Sequence, residues 1–218
     1  MRINAFTKNK EFITTVVLVI GYVTLQFLAN LTVAKQTPIS KFFAIPVGSL
    51  LWAVSFTWID LINDNLGAFK ARVLVFVSII VNIIMILWFE LYIRIPGTNE
   101  WNSNSNYQQA IEFVFGGYWR IYIASILTTF ISENTDITVF NYIKYKKSRS
   151  PRWLRSMISN TFSAPLDAIL FPILAFYGTI TGELLFSIIL TSALYKLAVS
   201  YISIPILYAV KSNIKTQN

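Results

Sequence analysis

Residues Ala71–Ile93 read ARVLVFVSIIVNIIMILWFELYI, an apolar run broken only by Arg72, Ser78, Asn82 and Glu90. A helix needs about 20 such residues to cross a bilayer core, so this stretch has the length of a membrane span. Five further runs of the same kind flank it. They cover Phe12–Ala34, Phe42–Trp58, Gly117–Ile143, Ser156–Gly178 and Leu184–Val210. The first is too long for a signal-peptide core and lacks a small-residue cleavage site, so it is expected to be retained. The spans predict an all-α, polytopic membrane protein with six transmembrane helices in a single domain, residues 1–218.

Composition points the same way. The 218 residues are 55% hydrophobic and 13% charged, with mean hydropathy +0.58; a soluble chain carries about 25% charged residues. With no His and no Cys, the chain has no imidazole base, thiolate nucleophile, disulfide or zinc finger. No cofactor and no metal site is expected.

The net charge of +8 is explained by where Lys and Arg fall. Arg2, Lys8, Lys10, Lys70, Arg72, Lys144, Lys146, Lys147, Arg149, Arg152, Arg155, Lys211 and Lys215 lie in segments that share one side of the membrane. Only Lys35, Lys41 and Arg94 lie on the other. The positive-inside rule therefore predicts cytoplasmic N- and C-termini in a multi-pass protein of the inner (cytoplasmic) membrane. The densest basic run, Lys144–Arg155, is read as a topogenic loop beside anionic head groups, so the expected surroundings are the lipid bilayer and no nucleic acid. The polar segment Arg94–Gly116 is expected to be external, a lid or a tolerated connection.

In lipid, a polar or ionisable side chain is costly unless it is paired or faces a wet interior. Span one carries Gln26 and Asn30, and Asp60, Asn63 and Asp64 follow span two, where a topological or gating pair with nearby Lys70 and Arg72 and direct ligand contact are equally open readings. Span three has Asn82 and Glu90, the latter placed to reach the interface. Span four is the most polar: Arg120, Ser125, Thr128, Thr129, Ser132, Glu133, Asn134, Asp136, Thr138 and Asn141. Ser125, Thr128, Thr129, Ser132 and Asp136 recur at helical spacing and form one stripe, which should face the protein interior. Asp167 in span five and Lys196 in span six lie at a depth where a lone charge is prohibitive, and a mutual ion pair is the economical reading. Each polar group also has a plain reading as interhelical glue. Buried carboxylates and amides among many aromatics suit a flat, hydrogen-bonding heterocycle; physics alone takes the reading to a small-molecule site.

Several segments taken together resemble the queuosine precursor transporter family, also called the vitamin uptake family. They are ANLTVAK (Ala29–Lys35), DLINDNLGAFKAR (Asp60–Arg72), RIYIAS with DITVFNYIK (Asp136–Lys144), RSMISNTFSAPLDAILF, and the stretch Lys196–Pro205. The order is kept along nearly the whole chain, with only Arg94–Gly116 lacking a counterpart. The resemblance implies six helices and import of 7-cyano- or 7-aminomethyl-7-deazaguanine, or a related base, for tRNA modification. It carries over Asn30, Asp60, Arg120, Ser125, Asp136, Asn141, Asp167 and Lys196 as substrate-binding residues, with Arg72 and Arg155 as further functional positions. Asp64 stands where the family usually has Glu, and Ser163-Ala164-Pro165 where Gln or Asn is common.

Alternatives belong to other classes. A substrate-binding subunit energised by a separate ATPase would also have six spans, and the chain has no Walker motif of its own. An intramembrane lipid-modifying enzyme would need more than the Asp60/Asp64 pair to hold Mg²⁺. The driving force stays open between proton coupling through Asp or Glu, Na⁺ coupling, and facilitated diffusion with trapping. Assembly into a homo-oligomer also stays open.

Overall fold

A computed structural model of the chain describes residues 2–103, 105–116, 119–147 and 150–209. Helix α1 (Arg2–Thr32) leads into a two-stranded antiparallel hairpin, β1 (Gln36–Pro38) and β2 (Ala44–Pro46), in which Thr37 faces Ile45. Helices α2 (Gly48–Leu66) and α3 (Ala68–Arg94) follow. Two short helices, α4 (Asn99–Asn102) and α5 (Ser105–Ile111), and a π-helical turn (Glu112–Gly116) precede α6 (Trp119–Lys146). Helices α7 (Arg152–Phe176) and α8 (Gly182–Ile202) complete the bundle, and a turn leads to α9 (Ile206–Ala209). The hairpin marks one end of the bundle. The other, basic end holds the α2–α3 turn, Lys144 and Lys146 at the end of α6, and the start of α7.

The architecture is all-α but for the hairpin. Among the described residues, five helices are long and apolar enough to cross a membrane: α1 from Glu11, α3, the segment through α6, α7, and the stretch from α8 to Tyr208. Helix α2 falls short of that measure because Asp60, Asn63, Asp64 and Asn65 crowd its last turns. Its residues face protein: Trp52, Phe56, Ile59, Asp60 and Asn63 are all buried. Polar residues sheltered by neighbouring helices need no lipid, and they dilute the hydropathy by which a span is recognised.

The expected second span, Phe42–Trp58, is displaced. Phe42 lies in the hairpin turn, held by Ile39 N–H on the Phe43 carbonyl (2.7 Å), and the helix starts at Gly48. Pro38 and Pro46 flank that turn and donate no hydrogen bond, which suits short edge strands and not a helix interior. The last span, expected at Leu184–Val210, corresponds to the apolar helical stretch Gly182–Tyr208, within which α8 ends at Ile202 and a turn through Pro205 leads into α9. The polar segment Arg94–Gly116 is folded into α4, α5 and the π turn. Gly117, Arg149, Val210, Lys211 and Lys215, and the side chains of Arg2, Lys8 and Lys10, lie outside the described residues.

Large apolar side chains point outward, among them Ile20, Phe76, Leu87, Phe130, Phe162 and Leu194, while serines, threonines, amides and carboxylates fill the interior. With lipid outside, helices gain nothing from apolar burial alone and associate through close packing and hydrogen bonds. Ala164, Ala168, Ser156, Ser159 and Ser163 give α7 a small-residue face, fully or nearly fully buried, and α7 packs most extensively on α6.

Two glycines set the packing. A Cβ at Gly48 would fall against the Ala29 carbonyl and 2.9 Å from Val33 Cα, so α2 meets α1 backbone to backbone beside the hairpin. Gly67 is the single residue between α2 and α3 and takes φ +89°, a conformation that costs a side-chain-bearing residue dearly. These positions explain part of ANLTVAK and the glycine of DLINDNLGAFKAR as packing requirements.

Candidate functional site

A column of buried polar side chains runs down the bundle in layers, from the hairpin end to the basic end. The first layer joins α1, α3 and α6. Asn30 Nδ2 donates to Asn82 Oδ1 (2.8 Å), Ser125 Oγ donates to Asn30 Oδ1 (2.5 Å), and Asn82 Nδ2 donates to the Ser78 carbonyl (2.8 Å).

The second layer lies deeper and holds two carboxylates. Glu133 accepts from the Tyr22 hydroxyl and from Gln26 Nε2 (2.7 Å). Asp167 pairs with Lys196, and Ser132 Oγ reaches its other oxygen (3.4 Å). Lys196 is 2% exposed, so this pair carries a large desolvation penalty and stands only through its geometry. Around it are hydroxyls with no partner among the described residues: Thr128, Thr191 and Ser192. Thr128 lies one helical turn from Ser132, and Ser192 one turn from Lys196, both toward the hairpin end. A buried polar atom without a partner costs about 1–3 kcal/mol, and native interiors keep few of them. Hydroxyls clustered beside a charged pair are what a hydrogen-bonding ligand would satisfy. Phe171, one turn beyond Asp167 on the same face, is buried and stacks edge-on with Phe176 at 5.8 Å.

The third layer joins α2, α6 and α7. Asp136 accepts from Ser163 Oγ (2.8 Å). Asp60 accepts from Ser156 Oγ and from Asn160 Nδ2 (3.1 Å). The two carboxyl groups lie within hydrogen-bonding reach of each other. At the basic end, Asn141 Nδ2 donates to Asn63 Oδ1 (2.9 Å). There Asp64 is ringed by Lys144 (3.4 Å), Arg152 (2.6 Å) and Arg155 (3.8 Å).

The residues singled out from the sequence fall into place unevenly. Asn30 and Ser125 share one layer, Asp167 and Lys196 form the expected pair, and Asp60 and Asp136 meet in a third layer with Asn141 beyond them. The stripe Ser125, Thr128, Thr129, Ser132, Asp136 is buried throughout. Arg120 stands apart. It donates to the carbonyls of Leu174 (2.9 Å) and Tyr177 (2.7 Å) at the end of α7, satisfying acceptors that a helix C-terminus leaves open.

The pairing of Asp60 and Asp64 with Lys70 and Arg72, one of the two readings open from the sequence, is not the one formed. Asp64 takes its cations from α6 and α7, and Arg72 donates to Thr138 (3.1 Å). An i, i+4 Mg²⁺ pair is not formed either: the Asp64 carboxylate is spent on cations, and no group of three or more acidic residues arranged for a metal occurs among the described residues. Glu90 is exposed and pairs with Arg94 at 2.5 Å.

Sequence reasoning missed the partners on α7. Ser156, Asn160, Ser163 and Asp167 recur at i, i+4, i+7 and i+11, a second polar stripe with the same spacing as the one on α6. It also left Glu133 off the site, although Glu133 is 0% exposed with two donors on it. Two surface cavities open toward the hairpin end. One, of about 390 Å³, is lined by Lys41, Phe42, Phe43, Thr181, Glu183 and Ser187 among others. The other, of about 280 Å³, lies between Tyr92, Trp101 and Gln108. Neither is lined by a residue of the column.

The sequence profile of a family described as "Putative vitamin uptake transporter" matches residues 46–210, from the end of the hairpin through α9. A protein of Bacillus subtilis (strain 168) named "Probable queuosine precursor transporter" is 29% identical over 198 residues, which is 89% of this chain and 82% of that protein. No solved structure matches.

Proposed function

The chain belongs to the "Putative vitamin uptake transporter" family and is a multi-pass membrane transporter, not an enzyme; from that premise we propose that it imports a 7-deazaguanine across the cytoplasmic membrane. The ligand is 7-cyano-7-deazaguanine, 7-aminomethyl-7-deazaguanine or a related base, taken up for tRNA modification. The name of the Bacillus subtilis relative supports the substrate class, and the distribution of Lys and Arg supports a cytoplasmic basic end.

The observation that carries the reading is the Asp167–Lys196 pair together with partnerless buried hydroxyls, Thr191 and Ser192 four to five residues before Lys196 on α8 and Thr128 one turn from Ser132 on α6. A guanine-like edge offers adjacent N–H donors next to a carbonyl. Asp167 accepts from the donors, Lys196 donates to the carbonyl, and the hydroxyls serve the remaining ring atoms, with Phe171 as an apolar wall. Asn30 and Ser125 form the approach from the hairpin end, and Asp136, Asp60 and Asn141 line the way onward. Arg120 holds the outer end of α7 and acts on the substrate only through that helix.

Thermal unfolding of the detergent-purified protein with a small panel tests this reading. A ligand at 100 times its dissociation constant adds about 2.7 kcal/mol to the folded state, a readable shift. The expected result is stabilisation by the two 7-deazaguanines, with none from riboflavin or biotin. Stabilisation by riboflavin or biotin in place of the deazaguanines contradicts the assignment.

A further inference from the structure

The third layer holds more acceptors than donors. Asp60 Oδ1, Asp136 Oδ2 and Asn160 Oδ1 have no hydrogen-bond partner among the described residues, and all three side chains are 0% exposed. They come from α2, α6 and α7. Asn160 is fixed in orientation because its Nδ2 donates to Asp60 Oδ2 and Ser156 Oγ (3.1 Å each), so its carbonyl oxygen is left over within the same cluster. Ser159 and Ser163 add buried hydroxyl oxygens from α7.

No ion pair to Asp60 or Asp136 occurs among the described residues. The nearby cations are committed elsewhere: Lys196 to Asp167, and Lys144, Arg152 and Arg155 to Asp64. Two adjacent carboxyl groups buried together need a proton or a cation between them. One shared proton would serve one oxygen of each carboxyl and leave the Asn160 carbonyl without a donor. A hard cation, by contrast, is bound by several oxygens, carboxylate and amide carbonyl alike.

We propose that Asp60, Asp136 and Asn160 form a sodium-ion site at the junction of α2, α6 and α7, and that substrate movement is coupled to its occupancy. The ion draws the three helices together below the Asp167–Lys196 layer, so the column closes around a loaded site and opens when the ion leaves. The coupling rests on the transport reading given above; the binding of the ion does not.

The test uses the full-length purified protein without substrate. Thermal unfolding is followed in NaCl, KCl and choline chloride at equal ionic strength and across pH. The expected result is a saturable stabilisation by Na⁺ alone. Asp136→Asn and Asp60→Asn should raise the half-saturating Na⁺ concentration by at least about tenfold, since losing even an outer-shell partner of a metal ligand costs about ten- to hundredfold. If either variant fails to fold, Asn160→Ser, which keeps a hydroxyl and removes the carbonyl, carries the test with a loss in the same direction. Equal melting in the three salts, a response to pH without one to Na⁺, or unchanged Na⁺ affinity in the variants overturns the proposal. Because no base is present, a Na⁺ response without any deazaguanine response sinks the substrate assignment and leaves the ion site standing; the reverse pattern does the opposite.

Discussion

Replacing Lys196 with methionine is expected to abolish uptake and to lower stability by about 3–5 kcal/mol, the cost of leaving one partner of a buried ion pair uncompensated. Asp167 would face the interior with only Ser132 at 3.4 Å in reach. The double variant Asp167→Asn/Lys196→Met removes both charges. Its melting temperature should recover most of the loss, because a neutral pair of similar volume carries no uncompensated charge, while uptake stays lost. Melting curves and uptake together separate the two roles. A double variant that is stable and still transports would reduce the pair to a fastening between α7 and α8.

At the basic end the largest effect is expected from Asp64→Asn. This one carboxylate faces Lys144, Arg152 and Arg155, whose side chains are only 11–18% exposed. Removing its charge leaves three cations crowded where α2, α6 and α7 meet. The expected loss lies toward the low end of about 3–5 kcal/mol, since those side chains keep some access to water. Asp64→Glu keeps the charge, and its melting temperature should stay near that of the parent. Equal stability of the Asn and parent proteins would show that the cluster is held by other contacts.

Much of the column is visible in the sequence because intramembrane polarity is costly and therefore conspicuous. Asp167 and Lys196 stand out as lone charges at mid-span, and their pairing follows from that cost alone. The stripe on α6 follows from helical spacing. What hides is polarity inside a helix that touches little lipid. Helix α2 buries Asp60, Asn63 and Asp64 against protein, so its hydropathy falls and its boundary shifts: the apolar FFAIPV at Phe42–Val47, which belongs to the hairpin, is taken for its start. The partners of Asp64 are hidden for a different reason. Lys70 and Arg72 are near in sequence, but α3 leaves Gly67 in a direction that takes Arg72 to Thr138, and the nearby cations in space come from α6 and α7. Arg120 looks like a buried charge by its position in span four, yet its length lets it reach the carbonyls that end α7. The meeting of Asp60 with Asp136 depends on how three helices cross, which no local spacing reports.

The polar column is proposed as the path of a 7-deazaguanine, with Asp167 and Lys196 at its binding layer. Uptake of radiolabelled 7-cyano-7-deazaguanine into ATP-free proteoliposomes, with an inward Na⁺ gradient and purified protein alone, tests it most directly. The expected result is saturable uptake by the parent protein, competed by 7-aminomethyl-7-deazaguanine, and background uptake by the folded Asp167→Asn/Lys196→Met variant. Uptake by that variant equal to the parent's, or no uptake by a parent protein that binds the base, would contradict it.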